Sequence, residues 1–291
     1  KIVYCKNCTM SNQRPRIQFN EDGVCSACVY HDYKTNYIDW DKREKELEEL
    51  CDKHRKEDGS WDVIVPSSGG KDSSFVSYEL KTKYGMHPLT VTFAPTIPTA
   101  IGQENLFNMA DSGMDNIVFT PNGVIHRKLC KTTLIEMGDN FIPFAYGQVN
   151  IPIQCAVKFQ IPFIMYGENG DLEYGGSLDE YNEPKLKIST VDPNNKILGL
   201  PTPNAASKLP KENWLPDEIK LEDLKMYLPP TRKELDELNI NEYFFAHYKN
   251  WKPEYHYKIA KKYCGFKDNP KRSEGTYTTY ASLDDKLDGF H

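Results

Sequence analysis

The segment from Ser67 to Ser73 has the composition of an anion-binding turn. It reads SSGGKDS, and its two adjacent glycines permit positive φ and close approach of the backbone to a ligand. The apolar triplet Val63–Val65 before it predicts a buried strand, and apolar spacing from Phe75 to Leu80 predicts a helix after it. A turn that opens a helix presents free backbone N–H groups and about half a positive charge. The pattern therefore predicts a phosphate site.

The amino-acid pattern of this turn differs from that of a common class of phosphate-binding loop. It does not fit the Walker A pattern G-x-x-x-x-G-K-[ST]. The segment Ser68–Ser73, SGGKDS, instead resembles the signature of the PP-loop ATP pyrophosphatases, which cleave ATP into AMP and pyrophosphate. The alternative is an ordinary turn between a strand and a helix that happens to contain glycines. We expect an ATP site, because the residues that match the signature lie between a predicted strand and a predicted helix.

Four cysteines near the start of the chain have metal-ligand spacing. They form two C-x-x-C pairs, Cys5 with Cys8 and Cys25 with Cys28, separated by sixteen residues. Two such pairs complete a tetrahedral zinc site and leave no open coordination position, so we predict structural rather than catalytic Zn²⁺. An iron–sulfur cluster is the competing interpretation, because four thiolates also hold one.

Strand and helix patterns alternate along the middle of the chain. Further short apolar runs predict strands at 88–93, 116–121 and 161–166. Helical patterns follow or separate them at 102–112, 125–137 and 147–159. This alternation predicts an α/β fold with a doubly wound parallel sheet. Ligands of such sheets bind at the carboxyl ends of the strands, so we expect one cleft formed by Ser68–Ser73, the residues after Phe93, and Gly167–Asp171.

These patterns divide the chain into five parts. They are a zinc-ribbon-like head with the four cysteines at 1–38, a connecting helix at 39–60, an ATP-binding domain at 61–183, a proline-rich insertion at 184–235 and a C-terminal part of the catalytic domain at 236–291. The connecting segment is charged and has few apolar residues, which is typical of a helix with one solvated face. Eight of the nineteen prolines lie at 184–230, and we interpret this stretch as a lid or docking insertion, with an idle loop as the alternative. Pro253 and Gly265 predict the start and the end of a final helix.

Composition limits the classes of partner. The 291 residues carry a net charge of −6, which offers no overall basic field for a nucleic-acid backbone. No apolar run approaches the roughly 18 residues of a membrane span, and the start has no signal-peptide core. Paired cysteines fit a reducing compartment. We expect a cytoplasmic protein without membrane or nucleic-acid partners. Since the chain lacks an initial Met and stops at Asp288–His291 without a helix stop or polar tail, we expect the native protein to extend further.

Four features together resemble one protein family. They are the double C-x-x-C head, SGGKDS, YGENGDLEYGG at 166–176 and EGTYTTYASLDDKLDGFH at 274–291. The chain is similar over essentially its whole length to the N-acetyl sugar amidotransferases of bacterial surface-polysaccharide and nonulosonic-acid biosynthesis. The resemblance implies a PP-loop (adenine nucleotide α-hydrolase-like) fold. It implies conversion of an acetamido group on a sugar into an acetamidino group, with ATP activating the amide and ammonia supplying nitrogen.

The same resemblance implies partners and cofactors. The partners are a glutaminase subunit and a cyclase-like ammonia-channelling subunit, both similar to the halves of imidazole glycerol phosphate synthase. The cofactors are ATP, Mg²⁺ and Zn²⁺. Nothing in the composition indicates which acetamido sugar is the substrate.

The candidate site follows from the phosphate loop and the resemblance. The residues predicted to bind ATP are Ser67, Ser68, Gly69, Gly70, Lys71, Asp72, Ser73, Phe93, Gly167 and Asn169. The residues predicted to be catalytic are Lys71, Asp72 and Glu168. Lys71 and the loop would stabilise departing pyrophosphate, and Asp72 or Glu168 would contact Mg²⁺.

Each of these residues also has a structural explanation. Lys71 fits a solvated lysine, and Asp72 fits a helix cap. Glu168, Asn169 and Asp171 fit an ordinary turn after a strand, and Glu173 and Tyr174 are weaker candidates. The acids Asp284, Asp285 and Asp288 either line the sugar site or face solvent. The seven histidines form no triad or metal spacing and are assigned no role. The remaining cysteines, Cys51, Cys130, Cys155 and Cys264, fit buried small hydrophobes.

Two other functions compete with the amidotransferase. A PP-loop tRNA sulfur transferase would need a pair of catalytic cysteines beside the ATP cleft and a basic face for tRNA, and near the core only Cys130 and Cys155 are candidates. A zinc-ribbon binding module that takes nucleotide as a ligand is the non-enzymatic alternative. The intact SGGKDS argues against such a module.

Overall fold

A computed structural model of the chain describes residues 1–14, 16–176, 181–186, 219–273 and 275–288, without the side chains of Leu186 and Leu221. Its sheet contains six strands: β1 (Val63–Pro66), β2 (Pro88–Phe93), β3 (Asp115–Phe119), β4 (Phe163–Tyr166), β5 (Lys185–Leu186) and β6 (Asn241–Phe244). Their order is β3-β2-β1-β4-β6-β5. All neighbours are parallel except β5, which pairs antiparallel with β6. The predicted α/β fold with a parallel sheet is confirmed.

Ten α-helices occur in the described part of the chain. They are α1 (Ser26–Asn36), α2 (Trp40–His54), α3 (Lys71–Thr82), α4 (Ala100–Asp111), α5 (Gly123–Met137), α6 (Ile142–Phe159), α7 (Gly170–Tyr174), α8 (Arg232–Leu238), α9 (Phe245–Tyr248) and α10 (Pro253–Tyr263). A 3₁₀ helix spans Leu221–Tyr227. No helix within these described ranges is long and apolar enough to cross a membrane.

The sheet is buried on both faces, which explains the continuous apolar runs of its central strands. In β1, Ile64 packs with α5, α6 and the 3₁₀ helix on one face. Its neighbours Val63 and Val65 pack with α2, α3 and α9 on the other. Because side chains alternate along a strand, three consecutive apolar residues serve both layers of the core.

Several element boundaries differ from the predicted ones for local reasons. The helix predicted at 102–112 begins at Ala100, because the Thr99 hydroxyl accepts a hydrogen bond from the Gly102 amide at 2.9 Å. The helix predicted at 147–159 begins at Ile142, with Pro143 in its first turn. The connecting helix α2 keeps many of its charged residues exposed and buries Leu47 and Cys51 fully in the core.

The proline-rich insertion is described only at its two ends. Residues 187–218 lie outside the described residues, and so does most of the stretch interpreted as a lid or docking insertion. Its far end forms the 3₁₀ helix, whose Leu224 and Tyr227 are buried against α6. The final helix starts at Pro253 as predicted, and Gly265 follows its end with φ of +66°.

Candidate active site and metal centre

The glycine-rich turn joins the carboxyl end of β1 to the first turn of α3. Gly69 has φ of +81°, and a Cβ there would lie 2.6 Å from the backbone of Leu106 in α4. Only glycine combines this conformation with this close approach. The Ser67 hydroxyl donates to Ser73 Oγ at 2.9 Å and accepts from the Gly69 amide at 3.2 Å. Ser67 therefore holds the turn in shape.

The turn faces a cleft of about 440 Å³ at the carboxyl ends of the strands. Of the residues predicted to bind ATP or to be catalytic, the cleft is lined by Ser67, Ser68, Gly70, Lys71, Asp72, Ser73, Phe93, Gly167 and Glu168, but not by Gly69 or Asn169. Its other walls come from α6, through Phe144 and Gln148, and from the C-terminal segment, through Phe266 and residues 280–284. One cleft thus brings together segments from β1, β2 and β4. From β2 it is Phe93 itself that lines the cleft, and not the residues after Phe93 that were predicted.

Asn169 and Asp171 are placed differently from the prediction. Asn169 is the N-cap of α7, and its side-chain oxygen accepts from the Asp171 amide at 3.1 Å. Asp171 forms an ion pair with Arg16 of the head at 2.9 Å. Neither residue lines the cleft, because the chain turns into α7 directly after Glu168.

Asp72 belongs to a charged network behind the turn and does not cap α3. Gly70 is the N-cap, and Asp72 contacts the Lys71 ammonium and His256 Nδ1, the latter at 2.9 Å. Burial opposes its charge, but His256 and Lys71 outweigh this effect and hold the pKa of Asp72 below its usual value. Lys71 also lies over the ring of Tyr280, 5.7 Å from its centroid.

His256 is a functional candidate that sequence analysis missed. Burial lowers its pKa, although Asp72 opposes this shift, so the ring is neutral at pH 7. Its Nε2 accepts from the Lys252 amide at 3.3 Å, which places the ring proton on Nδ1, facing Asp72. Stacking on Phe75, with centroids 4.2 Å apart, fixes the ring plane. His256 is 184 residues from Asp72 in sequence, so no local pattern could reveal the contact.

Glu168 projects into the cleft from the carboxyl end of β4. Burial and the nearby charge of Asp72 raise the pKa of its carboxyl group, and the Tyr174 hydroxyl lies 3.4 Å away. The preceding Gly167 allows close packing, since a Cβ there would lie 2.9 Å from the ring of Trp251. Glu168 therefore presents a carboxyl group to the cleft, with an elevated affinity for a proton.

The acids of the C-terminal segment have separate roles. Asp284 lines the cleft and contacts the Ser68 hydroxyl, and burial raises its pKa to about 6. Asp285 points the other way and accepts from the Ile97 amide at 3.1 Å. The Thr99 amide donates to the Asp284 carbonyl at 3.1 Å. The segment is thereby held while the Asp284 carboxyl group reaches the glycine-rich turn.

The four head cysteines converge on one point. Their sulfur atoms lie within 4.8 Å of one another, with Cys5 to Cys28 at 4.0 Å and Cys8 to Cys25 at 3.7 Å. Four sulfurs around a tetrahedral zinc ion lie about 3.8 Å apart, given Zn–S bonds of about 2.3 Å. The group can therefore hold a metal ion such as zinc.

Backbone amides favour the thiolate form of one of these residues, Cys5. Amides of Asn7 and Cys25 donate to Cys5 Sγ at 3.3 and 3.2 Å. Burial opposes ionisation of Cys5, but these amides outweigh it and lower its pKa to about 6. Thiolate is the form that binds metal, so Cys5 is suited to act as one ligand of the predicted ion.

The remaining cysteines are absent from the cleft. None of Cys51, Cys130, Cys155 and Cys264 lines it, and burial raises the pKa of each thiol. For Cys130 and Cys264 the pKa rises to about 11. These groups are unreactive thiols in apolar surroundings, as expected from sequence.

Comparisons with known proteins identify no family. No family profile and no curated protein sequence matches the chain. A solved structure of a predicted subunit of tRNA methyltransferase from Methanocaldococcus jannaschii is similar, with 24% identity and a TM-score of 0.29. The likeness covers 38% of this chain and 56% of that protein, so the chain spans little more than half of its length. A TM-score this low carries no conclusion about fold family or function.

Proposed function

We propose that the chain is the ATP-dependent, AMP-forming component of an N-acetyl sugar amidotransferase with a PP-loop fold. One observation carries the proposal. The SGGKDS turn opens a helix at the carboxyl end of a central parallel strand and faces a cleft of about 440 Å³. The proposal includes ATP, Mg²⁺ and Zn²⁺ as cofactors, and glutaminase and cyclase-like subunits as the source of ammonia. The resemblance described above supports those partners.

The reaction requires activation of a poor electrophile. The acetamido oxygen attacks the α-phosphorus of ATP, and the bond to pyrophosphate breaks. Ammonia then adds to the amide carbon, and AMP leaves with the former amide oxygen. The products are an acetamidino sugar, AMP and pyrophosphate. The protein must align the reactants and exclude water from the adenylated amide.

The cleft residues suit these tasks. Free amides at the start of α3, the Ser68 hydroxyl and the Lys71 ammonium would stabilise the departing pyrophosphate. Both oxygens of Asp72 are already engaged, by Lys71 and His256. Glu168 is therefore the better-placed carboxylate for Mg²⁺, which would neutralise phosphate charge when bound. Phe93 gives the cleft an apolar wall suited to a purine base.

The sulfur-transferase alternative lacks a nucleophile in the cleft. Among the described lining residues there is no cysteine, and Cys130, one of the two candidates, has a pKa raised to about 11. A catalytic persulfide or thiolate would need a lowered pKa and access to the bound substrate. The geometry therefore favours ammonia over a protein thiol as the incoming group.

Isotope transfer tests the proposal directly. The protein is incubated with ATP, Mg²⁺, ammonium and a bis-acetamido sugar whose acetamido oxygens are ¹⁸O. We expect equal amounts of AMP, pyrophosphate and amidine product, with the label in AMP. Lys71→Ala should reduce turnover at least about 100-fold, because one charged contact to the leaving group is lost. Lys261→Ala, which changes an exposed lysine, is the matched control.

Four results would contradict the proposal. Formation of ADP instead of AMP would exclude the pyrophosphatase chemistry. Release of AMP only in the presence of tRNA would favour base modification, and loss of turnover in Cys155→Ala would point to sulfur transfer. Unlabelled AMP beside amidine product would exclude adenylation of the amide oxygen.

A further inference from the structure

The short helix α7 stands between the cleft and the cysteine head. It begins two residues after Glu168, which lines the cleft, and it ends at Tyr174, which also lines it. The Tyr174 hydroxyl lies 3.4 Å from the Glu168 carboxyl group. The cleft therefore takes one side chain from just before this helix and one from its last residue, and the placement of the helix determines where these two side chains point.

The head grips the opposite side of α7. Lys34 of α1 forms an ion pair with Glu173, and the two side chains are only 9% and 7% exposed. Arg14 Nε donates to the Gly175 carbonyl at 3.2 Å. Gly175 has φ of +94°, and a Cβ there would lie 2.3 Å from Ile17 Cδ1 of the head. The two surfaces are therefore closely fitted as well as charge-paired.

The position of α1 depends on the four cysteines. Cys25 is the residue before α1, and Cys28 lies in its first turn. The segment that carries Arg14 and Ile17 runs between the two cysteine pairs. Four thiolates converge closely only when a cation offsets their mutual repulsion, so loss of the ion would release both parts that hold α7.

We infer that the metal-loaded head positions Glu168 and Tyr174 in the cleft, and that the buried pair Lys34–Glu173 transmits this placement. Lys34 and Glu173 are positioning residues, since they touch α7 and the head but not the cleft space. The inference assigns the head a role in forming the cleft, beyond the proposed reaction. A buried pair suits this role, because either charge alone is costly to bury.

Hydrogen exchange of the full chain, followed by mass spectrometry, tests the inference. We expect Lys34→Met to raise amide exchange in 170–176 about tenfold or more, because Glu173 is left without its partner. Peptides from β1 and β2 should keep wild-type rates. The double variant Lys34→Met/Glu173→Met should return α7 toward wild-type protection. Removal of the metal with a chelator should reproduce the change at α7.

Two controls separate positioning from a general loss of stability. Lys233→Met breaks an exposed pair with Glu237 on α8 and should leave α7 unchanged. Arg16→Gln weakens the milder contact to Asp171 and gives a smaller increase, which keeps the test valid if Lys34→Met does not fold. Across these variants, calorimetry should show weaker ATP binding wherever the amide exchange of α7 is faster.

Unchanged exchange in 170–176 after both metal removal and Lys34→Met would overturn the inference. A uniform rise in exchange across the sheet would also overturn it, because that result indicates only global destabilisation. The exchange measurement requires no nucleotide. It therefore stands even if ATP fails to bind, which would count against the proposed function alone.

Discussion

At the scale of single residues, the site combines groups that sequence patterns indicate with groups that they cannot. Ser68 and Lys71 belong to a recognisable turn, so their placement in the cleft was predictable. His256 was not, because its contact with Asp72 depends on how α10 packs against α3. Its neutral ring donates one hydrogen bond to Asp72 and leaves the carboxylate charged, which keeps Lys71 fixed at the mouth of the turn.

Asp284 makes stability depend on pH. Its pKa rises from 3.8 to about 6 on folding, so the folded protein binds this proton more tightly than the unfolded chain. The stabilisation is fully present below about pH 4 and is lost as the pH rises through about 6. Asp284→Asn stays neutral at every pH. We expect the free energy of unfolding of this variant to exceed that of wild type by about 3 kcal/mol at about pH 7.5 and to be close to it near pH 4.

Urea unfolding at these two pH values measures the difference. Glu21→Gln, which removes an exposed carboxylate of the head, controls for the loss of one negative charge. Lower stability of Asp284→Asn at the higher pH would mean that Ser68 and Lys71 stabilise the carboxylate more than burial destabilises it. That result would contradict the conclusion that burial in the cleft destabilises the charged form of Asp284.

At the scale of elements, the glycine-rich turn depends on contact with α4. Gly69 and Gly59 have similar φ angles, +81° and +78°, but Gly59 has open space around its Cα. Gly59→Ala therefore measures conformational strain alone, about 1–2 kcal/mol. Gly69→Ala must also displace Leu106 or the turn, which adds about 1–3 kcal/mol. We expect only Gly69→Ala to weaken ATP binding, about tenfold or more by calorimetry.

Equal losses of stability in the two glycine variants, measured by urea unfolding, would contradict this account. So would retention of full ATP affinity in Gly69→Ala. The matched φ angles make the comparison specific, because the strain common to both sites cancels and the contact with Leu106 remains.

Elements were more predictable than their contacts. Buried strands such as β1 were evident because both faces of a central strand are apolar. The start of α6 was not predictable, because a glycine such as Gly147 indicates a helix boundary when the residues that pack against it are unknown. In the structure a Cβ at Gly147 would lie 2.3 Å from the Phe93 ring, so the glycine serves packing inside the helix. Similarly, the segment 280–285 shows no helical or strand periodicity in its sequence. It is held by individual hydrogen bonds, such as the one that Asp285 accepts from the Ile97 amide, and these have no sequence pattern.

At the scale of the whole molecule, the head contacts the rest of the chain through α1 and α7. Its four cysteines can hold a metal ion, and the identity of that ion can be tested. Sulfur separations of 3.7 and 4.0 Å suit a single ion. An iron–sulfur cluster places several atoms between its thiolates and would hold them further apart. We therefore expect elemental analysis to find one zinc ion per chain and no iron or sulfide.

Cysteine variants complete this prediction about the metal. Cys28→Ser removes one ligand and should reduce bound zinc and lower thermal stability, because binding free energy contributes to folding of the head. Cys264→Ser, which changes a buried thiol beside α10, should keep the zinc content of wild type. If the wild-type protein contains iron and shows visible charge-transfer absorption, the prediction of zinc is wrong and the four cysteines hold an iron–sulfur cluster. Wild-type protein without metal, yet unaltered in stability by added zinc, would show that the four sulfurs converge for packing alone.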